Sequence, residues 1–383
     1  MSSDFEIDLQ PIRSGFDGET CWVHARAGAI PGAGGDGAPA IVMTMQKLLL
    51  TGSDVFFTIH DMRSDDMGAT WSDPAPHEGL GRWDAGNGVT GGICDFTPGW
   101  HAATGTLLGV GHTVYYRDDS GPMHVRPKQA AYSIYDPEAR AWSQAQFLVM
   151  PDEKRFRTAG AGCVQRFDLE DGTILLPLSY RPDYETAHSE TIVSRCGFDG
   201  ETLELMDLGN ALACEDPRGL GEPSLTRFDG RCFLTLRNDL RGYVTSGEDG
   251  LHFEEPIPWR FDDGQELGNY NTQQHWLTHS DGLFLVYTRR GLDNDHVFRH
   301  RAPLLVAEVD PERLCVIRDS ERVAVIERGA RLGNFGVSDI TADESWIVAA
   351  EWMQPVGCEE HGSDNTIWSA RVRWENPNEA VRA

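Results

Sequence analysis

The segment that most constrains the fold is a short polar turn, Arg63–Pro74, with the sequence RSDDMGATWSDP. The side-chain oxygens of Ser64 and Asp66 can accept hydrogen bonds from N–H groups of the loop. Gly68 suits a position where φ is positive, and Trp71 can fold back over the turn. The pattern predicts a hydrogen-bonded structural turn at the end of a β-hairpin rather than a catalytic site.

A second, altered copy of this turn occurs at Ser246-x-Glu248-x-Gly250-x-x-Phe253, with Glu in place of Asp and Phe in place of Trp. Both copies lead into a proline-containing segment. A small sheet that carries such a turn cannot bury both faces alone, so recurrence of the turn favours similar sheets stacked around an axis.

Apolar runs separated by Asp-Gly and similar turns form about six similar blocks, a pattern typical of many short strands. The blocks begin near Ala38, Gly91, Cys163, Pro223, Gln274 and Gly336. We therefore predict an all-β fold, a six-bladed β-propeller formed by residues 1–383 as a single domain. Splitting the long second or third block would give seven blades. Residues 5–9, FEIDL, alternate with period two and are predicted to supply the strand that closes the ring.

Composition narrows the function. A formal net charge of −27 argues against binding to nucleic acid. The chain has no apolar run of the ~20 residues that a membrane helix needs. Its first residues lack the pattern of a secretory signal, so we expect a cytoplasmic protein whose eight cysteines are free thiols in the core.

The two turns and the blade pattern resemble the Asp-box (BNR) repeats of sialidase-type β-propellers, a family of carbohydrate-active enzymes. That resemblance implies an arginine cluster that binds a substrate carboxylate, an acid/base aspartate and a glutamate that activates the nucleophile. The matching positions are Arg26 (with Ile30-Pro31 after it), Arg237 and Arg301 for the cluster, Asp54 for the acid/base and Glu222 for the glutamate.

The sequence departs from this family at the nucleophile. The family's tyrosine opens the last blade, where the chain reads LGNFGV and offers Phe335. A phenyl ring has no oxygen with which to attack an anomeric carbon. Hydrolysis by the family's mechanism would need Tyr270 or Tyr180 to substitute from another blade.

Histidines and arginines at blade positions favour a different reaction, β-elimination on a uronic acid, and in this respect the chain is similar to propeller-fold polysaccharide lyases. Arginine or amide groups neutralise the sugar carboxylate, and His or Tyr removes the C5 proton. The catalytic candidates for elimination are His112, Tyr180, His101, Arg181 and Arg237. The candidates for substrate binding are Arg26, Tyr270, Gln274, His275, Arg289, His300 and Arg301.

His296-x-x-x-His300 could hold a divalent metal together with Asp293 and Asp295, although this spacing in a loop gives no reason for convergence, and we assign no cofactor. The segment Asn269–Trp276 is rich in amide and aromatic groups that suit sugars.

Three functions remain open: a lyase acting on an acidic oligosaccharide, a sialidase-like exo-glycoside hydrolase using Asp54 and Glu222, and a non-catalytic glycan-binding propeller. The expected partner is an acidic oligosaccharide, and the sequence does not indicate an oligomeric state.

Overall fold

The computed structural model describes residues 4–124, 127–183 and 187–381, which form six antiparallel sheets arranged as the blades of a propeller. The predicted all-β, six-bladed fold is confirmed. The described segments also contain short 3-10 turns at Gly35–Gly37, Glu78–Leu80, Lys154–Arg157, Phe298–His300, Arg318–Ser320 and Cys358–His361. No helix in these segments is long and apolar enough to cross a membrane.

The strands are numbered in chain order, and β1 (Phe5–Arg13) belongs to the last blade. Blade one contains β2 (Thr20–Ile30), β3 (Ala40–Leu49), β4 (Phe56–Ser64) and β5 (Ala75–Pro76). Blade two contains β6 (Trp83–Asp84), β7 (Thr90–His101), β8 (Thr106–Tyr116), β9 (Ala130–Asp136), β10 (Ala141–Trp142) and β11 (Gln146–Phe147). Blade three contains β12 (Phe167–Asp168), β13 (Ile174–Tyr180), β14 (Glu190–Phe198) and β15 (Leu203–Leu208).

In each of the remaining blades the first strand named lines the channel. Blade four contains β16 (Gly221–Phe228), β17 (Arg231–Arg237), β18 (Tyr243–Gly247) and β19 (Ile257–Pro258). Blade five contains β20 (His275–His279), β21 (Gly282–Tyr287), β22 (Leu304–Asp310), β23 (Cys315–Val316) and β24 (Arg322–Val325). Blade six contains β25 (Gly336–Thr341), β26 (Glu344–Ala350), β27 (Ile367–Trp374) and β1.

The N-terminal strand closes the ring, as predicted. It pairs antiparallel with β27, with Phe5 opposite Trp374 and Leu9 opposite Ala370. Phe5 is buried and makes edge-on contacts with Phe284 and Trp374, both with ring centroids 5.3 Å apart. The last blade is therefore built from the two ends of the described chain.

Apolar side chains pack between neighbouring blades, which explains why no blade is stable alone. One core cluster joins strands of blades one and six around Met43 and Trp346. Another joins blades four and five around Phe233 and Trp276. Because both faces of each sheet are covered by neighbours, the strands read as long apolar runs more than as strict alternation.

The Arg63–Pro74 turn has the hydrogen bonds that its sequence predicts. The Ser64 hydroxyl donates to Asp66 Oδ1 (2.8 Å) and accepts from the Gly68 N–H (2.7 Å). The Thr70 N–H donates to Asp66 Oδ1 (2.8 Å). Gly68 has φ of +77°, and a Cβ there would lie 2.7 Å from the Trp346 ring.

The second turn differs from the prediction in its acidic residue. Asp249, not Glu248, accepts hydrogen bonds from the N–H groups of Leu251 (2.9 Å) and His252 (2.7 Å). Gly250 has the expected positive φ of +75°. The turn therefore uses a carboxylate one residue later than the spacing of the first copy indicates.

Candidate active site

Each blade places one residue other than glycine in the left-handed region of φ at the same end of the channel. These residues are His24, Asp95, Cys163, Glu222, Asn271 and Asn334, with φ between +43° and +64°. On the inner strands of blades one, two and four, the pairing register shifts at this point, as in a β-bulge. A bulge turns a side chain that would otherwise enter the core, and strained backbone of this kind is concentrated at functional sites.

Asp95 links the first three blades within this ring. Its Oδ1 lies 3.2 Å from His24 Nε2 and 3.5 Å from Arg26 Nη2, and it accepts a hydrogen bond from the Cys163 thiol at 2.7 Å. Its Oδ2 lies 3.6 Å from His112 Nε2. Burial works to raise the pKa of Asp95, but His24, His112 and Arg26 outweigh it and hold that pKa well below its usual range. The carboxylate is therefore a fixed negative charge on the channel wall.

One group in the described residues has ligand atoms close enough to hold a metal: Cys94, Asp95 and His112, whose atoms lie within 4.8 Å of one another. The Arg26 guanidinium contacts the same carboxylate, and a fixed positive charge there opposes a cation, so we assign no metal. His296 instead contacts Glu327 (2.9 Å), and His300 contacts Asp295 (3.2 Å).

Blades four and five meet through Asn271. Arg237 forms a close ion pair with Glu222, and its Nη2 donates to Asn271 Oδ1 at 2.9 Å. Arg301 Nη2 donates to the backbone oxygen of Asn271 and lies 3.3 Å from the same Oδ1. Two arginines predicted from separate blades are thus brought together by one amide side chain, beside Glu222.

Three arginines at this mouth have no carboxylate within salt-bridge distance among the described residues: Arg299, Arg301 and Arg331. Burial, followed by the charges of Arg237, Arg331 and Arg299, lowers the pKa of Arg301 well below its usual range. Burial also lowers the pKa of Arg331 to about 10, against the opposing charge of Asp54. The mouth is positively charged although the chain as a whole is strongly acidic.

Several buried polar atoms around the mouth have no hydrogen-bond partner in the described part of the chain. They include Arg26 Nη1, Glu222 Oε2, Arg301 Nε, Arg331 Nε and Asn334 Oδ1. Buried polar groups in folded proteins are nearly always satisfied. Their concentration here indicates a site that a polar ligand or water completes.

Asp54 lies at the rim of this mouth. It is exposed, has φ of +52°, and its charge acts on Arg299 and Arg331. Its backbone oxygen accepts a hydrogen bond from Tyr116 (3.0 Å), whereas its carboxylate accepts none from the described residues. Asp54 therefore lies on the same side of the channel as Arg299 and Arg331.

Tyr270 and His300 also lie at this mouth, where the Tyr270 hydroxyl is 2.6 Å from His300 Nδ1. The Arg290 guanidinium lies over the Tyr270 ring, 4.6 Å from its centroid. Both residues flank the Asn271 contact with Arg301 in sequence and in space.

Two of the histidines predicted for the site cannot contact a ligand at the mouth. His275 is part of the channel wall, and His101 lies near the opposite end of its strand. His275 is buried, with Nδ1 2.5 Å from the Ser224 hydroxyl and its ring against Phe335. Burial, then Arg26, lowers its pKa to about 3. His101 lies near the other end of β7, where its Nε2 donates to the Gly172 carbonyl (3.0 Å).

Tyr180 does not meet His112. Its hydroxyl donates to Glu190 (2.7 Å) and its ring packs on Phe156 within the core between blades two and three. Burial, then Glu190, raises its pKa above its usual range. The base and acid predicted for elimination are therefore not brought together.

Arg181, Gln274 and Arg289 also fall outside the carboxylate-binding set. The backbone N–H of Arg181 donates to Thr158 (2.7 Å) on the blade-three side. Gln274 is buried, and its Nε2 donates to the Thr272 carbonyl (2.6 Å). Arg289 forms an ion pair with Glu321 (2.7 Å) between blades four and five.

Sequence reasoning missed Asp95, His24, Cys163 and Asn334, whereas Asn271 lies in the segment Asn269–Trp276 that the sequence singled out for sugar binding. Cys163 had been interpreted as a core hydrophobe, yet its thiol faces Asp95 in the channel. One pattern could have identified them: a polar residue that interrupts an apolar run at the start of a block. Asp95, between Cys94 and Phe96, is an example.

A cavity of about 930 Å³ opens at the opposite end of the channel. Its lining includes Arg166, Asp168, Arg227, Asp229 and Asp339. Arg166 is held there by Asp168, with Nε donating to Oδ1 at 2.9 Å. This end shows no cluster of unpaired charge like that at the mouth among the described residues, so the mouth is the candidate site.

Comparison with known proteins supports the fold. No family model matches the chain, and no curated protein matches it. A protein of unknown function from Dyadobacter fermentans is similar in structure, with 12% identity and a TM-score of 0.64 over 96% of this chain and 99% of that one.

Sialidases are also similar. A Hadza microbial sialidase has 12% identity and a TM-score of 0.62 over 92% of this chain and 66% of that one. Trypanosoma rangeli sialidase has 12% identity and a TM-score of 0.59 over 93% of this chain and 55% of that one. The chain thus spans between half and two thirds of these sialidases, and it has the fold of a sialidase-like six-bladed β-propeller.

Proposed function

We propose that this protein cleaves a glycosidic bond in an acidic oligosaccharide, whose carboxylate is bound at the channel mouth. The observation that carries this proposal is the convergence of Arg299, Arg301 and Arg331 without carboxylate partners in a chain of net charge −27. Arg301 and Arg331 are buried, whereas Arg299 is exposed, and buried like charges are costly unless a counter-charge neutralises them. A planar carboxylate fits guanidinium groups through paired hydrogen bonds.

Hydrolysis is the reaction that the geometry supports best. Glu222 presents an unpartnered Oε2 beside Arg237 and can accept a proton from an attacking water. The resemblance gives the acid role to Asp54 at the rim. Trypanosoma rangeli sialidase, which has the same fold, has been solved with sialic acid, an acidic sugar.

β-Elimination is the second candidate, and one observation favours it. His112 lies 3.6 Å from Asp95, so its imidazole is oriented by a carboxylate and could remove a C5 proton. Tyr180 and Gln274 would take no part, because their side chains are bonded elsewhere. A glycan-binding propeller without catalysis is the third alternative.

The test is absorbance near 232 nm while the purified protein is incubated with uronate-containing and sialylated oligosaccharides, with sugar release followed in parallel. Release of sugar with flat absorbance supports hydrolysis. A rise in absorbance, from the unsaturated uronate, supports elimination through His112. Tight binding with neither signal would leave the glycan-binding alternative and would contradict the enzyme proposal.

We also propose a cytoplasmic location, which would suit an exo-acting enzyme on short imported fragments. Fractionation of cells that express the tagged full chain tests this. Recovery of the protein outside the cytoplasm would contradict it.

A further inference from the structure

Several side-chain contacts join the loop before β20 to the loop that carries Arg301, and two of them matter here. One is the contact of Asn271 with Arg301, which belongs to the carboxylate site. The other is the 2.6 Å contact between the Tyr270 hydroxyl and His300 Nδ1. His300 Nε2 in turn lies 3.2 Å from the carboxylate of Asp295. A phenol, an imidazole and a carboxylate therefore form a chain that runs from the mouth to solvent.

The backbone on both sides of this chain is held in an unfavourable conformation. Asn271, Arg299 and His300 have φ of +55°, +59° and +51°. Residues with a Cβ rarely adopt this region, and they keep it where surrounding contacts hold them, often at functional sites. Both ends of the Tyr270–His300 contact are thus fixed by the fold.

Positive charge surrounds the phenol. Arg290 lies over its ring at 4.6 Å, and the charges of Arg301 and Arg299 also act on it. Burial raises the pKa of Tyr270 against these three arginines. The Tyr270 hydroxyl is therefore protonated in the free protein. After proton transfer, the three arginines stabilise the negative charge of the phenolate.

We propose that Tyr270 is the catalytic acid that protonates the leaving glycosidic oxygen, with His300 as its proton partner; this rests on the proposed function. As the C–O bond breaks, its electron pair goes to the leaving oxygen, which takes the phenol proton. The phenolate recovers a proton from solvent, relayed through His300 beside exposed Asp295. In hydrolysis the bond that breaks is the anomeric C–O bond, and in elimination it is the C4–O bond of the uronate; the leaving oxygen takes the phenol proton in both. Asp54, whose carboxylate has no hydrogen-bond partner in the described chain, loses the acid role.

The experiment compares leaving groups. If hydrolysis is observed, wild type, Tyr270→Phe and Asp54→Asn are assayed on sialyllactose and 4-nitrophenyl sialoside. If elimination is observed, they are assayed on a disaccharide whose uronate carries the other sugar at O4 and on a uronate methyl glycoside that carries a 4-nitrophenyl group at O4. A 4-nitrophenolate departs without protonation, whereas a sugar alkoxide does not. We expect Tyr270→Phe to lower kcat roughly 10²- to 10⁴-fold on the disaccharide and less than about 10-fold on the 4-nitrophenyl substrate.

His300→Gln tests the proton partner. The His300 ring contacts the Tyr270 hydroxyl and the Asp295 carboxylate. We expect His300→Gln to lower kcat on the disaccharide more than on the 4-nitrophenyl substrate, as Tyr270→Phe does, because the phenolate then lacks the group that returns its proton. Tyr132→Phe is the matched control, because it removes a buried hydroxyl bonded to Gln146 (3.1 Å) in blade two and should leave both rates unchanged.

Equal losses on both leaving groups, or no loss, in Tyr270→Phe would overturn the assignment. So would a selective loss in Asp54→Asn alone. A wild-type protein that cleaves none of the glycans removes the proposed function, and the acid with it. An active wild type with an unaffected Tyr270→Phe removes this inference only.

Discussion

At the scale of single residues, the two sides of the site differ in how their positively charged side chains are neutralised. Asp95 satisfies two histidines, an arginine and a thiol on one side of the channel. On the other side Asn271, a neutral amide, holds Arg237 and Arg301 together. The first three blades therefore share one carboxylate, whereas in the other half Glu222 pairs with Arg237 and leaves Arg301 with no carboxylate within salt-bridge distance among the described residues.

Arg301→Met separates binding from folding. Arg301 is buried, its Nε is unpartnered, and its neighbours Arg237, Arg299 and Arg331 repel it. We expect affinity for an acidic oligosaccharide to fall at least about 30-fold, in the range for losing one partner of a buried charge pair. Because a repelled charge is removed, the melting temperature should stay the same or rise.

Titration calorimetry and thermal melting check this prediction. Arg195→Met is the matched control, since Arg195 pairs with Asp171 on the outer part of blade three. An Arg301→Met protein that melts lower and still binds would mean that Arg301 is structural only.

His275 should contribute to acid sensitivity. Its pKa is lowered to about 3 in the folded protein, first by burial and then by Arg26, whereas the unfolded value is about 6.5. Between these values the unfolded chain binds more protons, so this residue destabilises the fold progressively as pH falls from about 6.5 to about 3.

His275→Gln removes the titration and keeps a side chain that can bond Ser224. We expect its melting temperature to fall less steeply than wild type between pH 6.5 and 4, measured by calorimetry. Gln10→Ala, which changes no titratable group at an exposed position, is the control and should follow wild type. Parallel slopes for His275→Gln and wild type would contradict the prediction.

At the scale of elements, each inner strand serves both core and channel. The bulge at Asp95 lets β7 turn one polar side chain into the channel while Cys94 and Phe96 stay buried. Without the bulge, the Asp95 side chain would not point into the channel between two buried neighbours, because successive side chains of a regular strand alternate between its two faces.

The closing strand is the element on which the ring depends. Phe5→Ala should lower the free energy of unfolding by about 3–5 kcal/mol, as for other buried Phe side chains, because Phe5 fills a space between Phe284 and Trp374. Denaturant unfolding measures this. Gln10→Ala, exposed on the same strand, should change stability by less than about 0.5 kcal/mol. Similar effects of the two substitutions would show that closure does not limit stability.

At the scale of the whole molecule, the ring gathers loops from six blades at one mouth and leaves most of the negative charge elsewhere. A net charge of −27 repels itself in the compact state. The arginine cluster is therefore a local exception in an acidic shell, which only the closed ring can assemble.

Salt should stabilise the protein at neutral pH. Raising NaCl from 0.02 to about 0.5 M shortens the screening length several-fold and weakens this repulsion. We expect the melting temperature at pH 7 to rise by several degrees, and the effect to disappear near the sequence pI of about 4.7. The control is the same NaCl series at pH 4.7. Sodium sulfate is not used, because sulfate stabilises proteins by strengthening apolar burial as well as by screening charge. A melting temperature independent of NaCl at pH 7 would contradict the expectation.

The sequence by itself determined the local patterns. Apolar runs separated by Asp-Gly and similar turns predicted the strands, their recurrence predicted six blades, and the alternating segment Phe5–Leu9 was recognisable as the closing strand. The family resemblance pointed to Glu222, Arg237 and Arg301, which do lie together.

Only the tertiary structure decided which polar residues meet. His112 and Tyr180 occur in equivalent apolar runs, yet one faces Asp95 and the other faces the core, because a bulge or a one-residue change of register reverses a strand side chain. Asn271 lies in an amide-rich segment, but neither that segment nor the sequence around Arg299 indicates which residues they meet, because their positions follow from closing six blades around one axis. Sequence spacing specifies neighbours along a strand, whereas an active site at the centre of a ring is made of residues far apart in the chain.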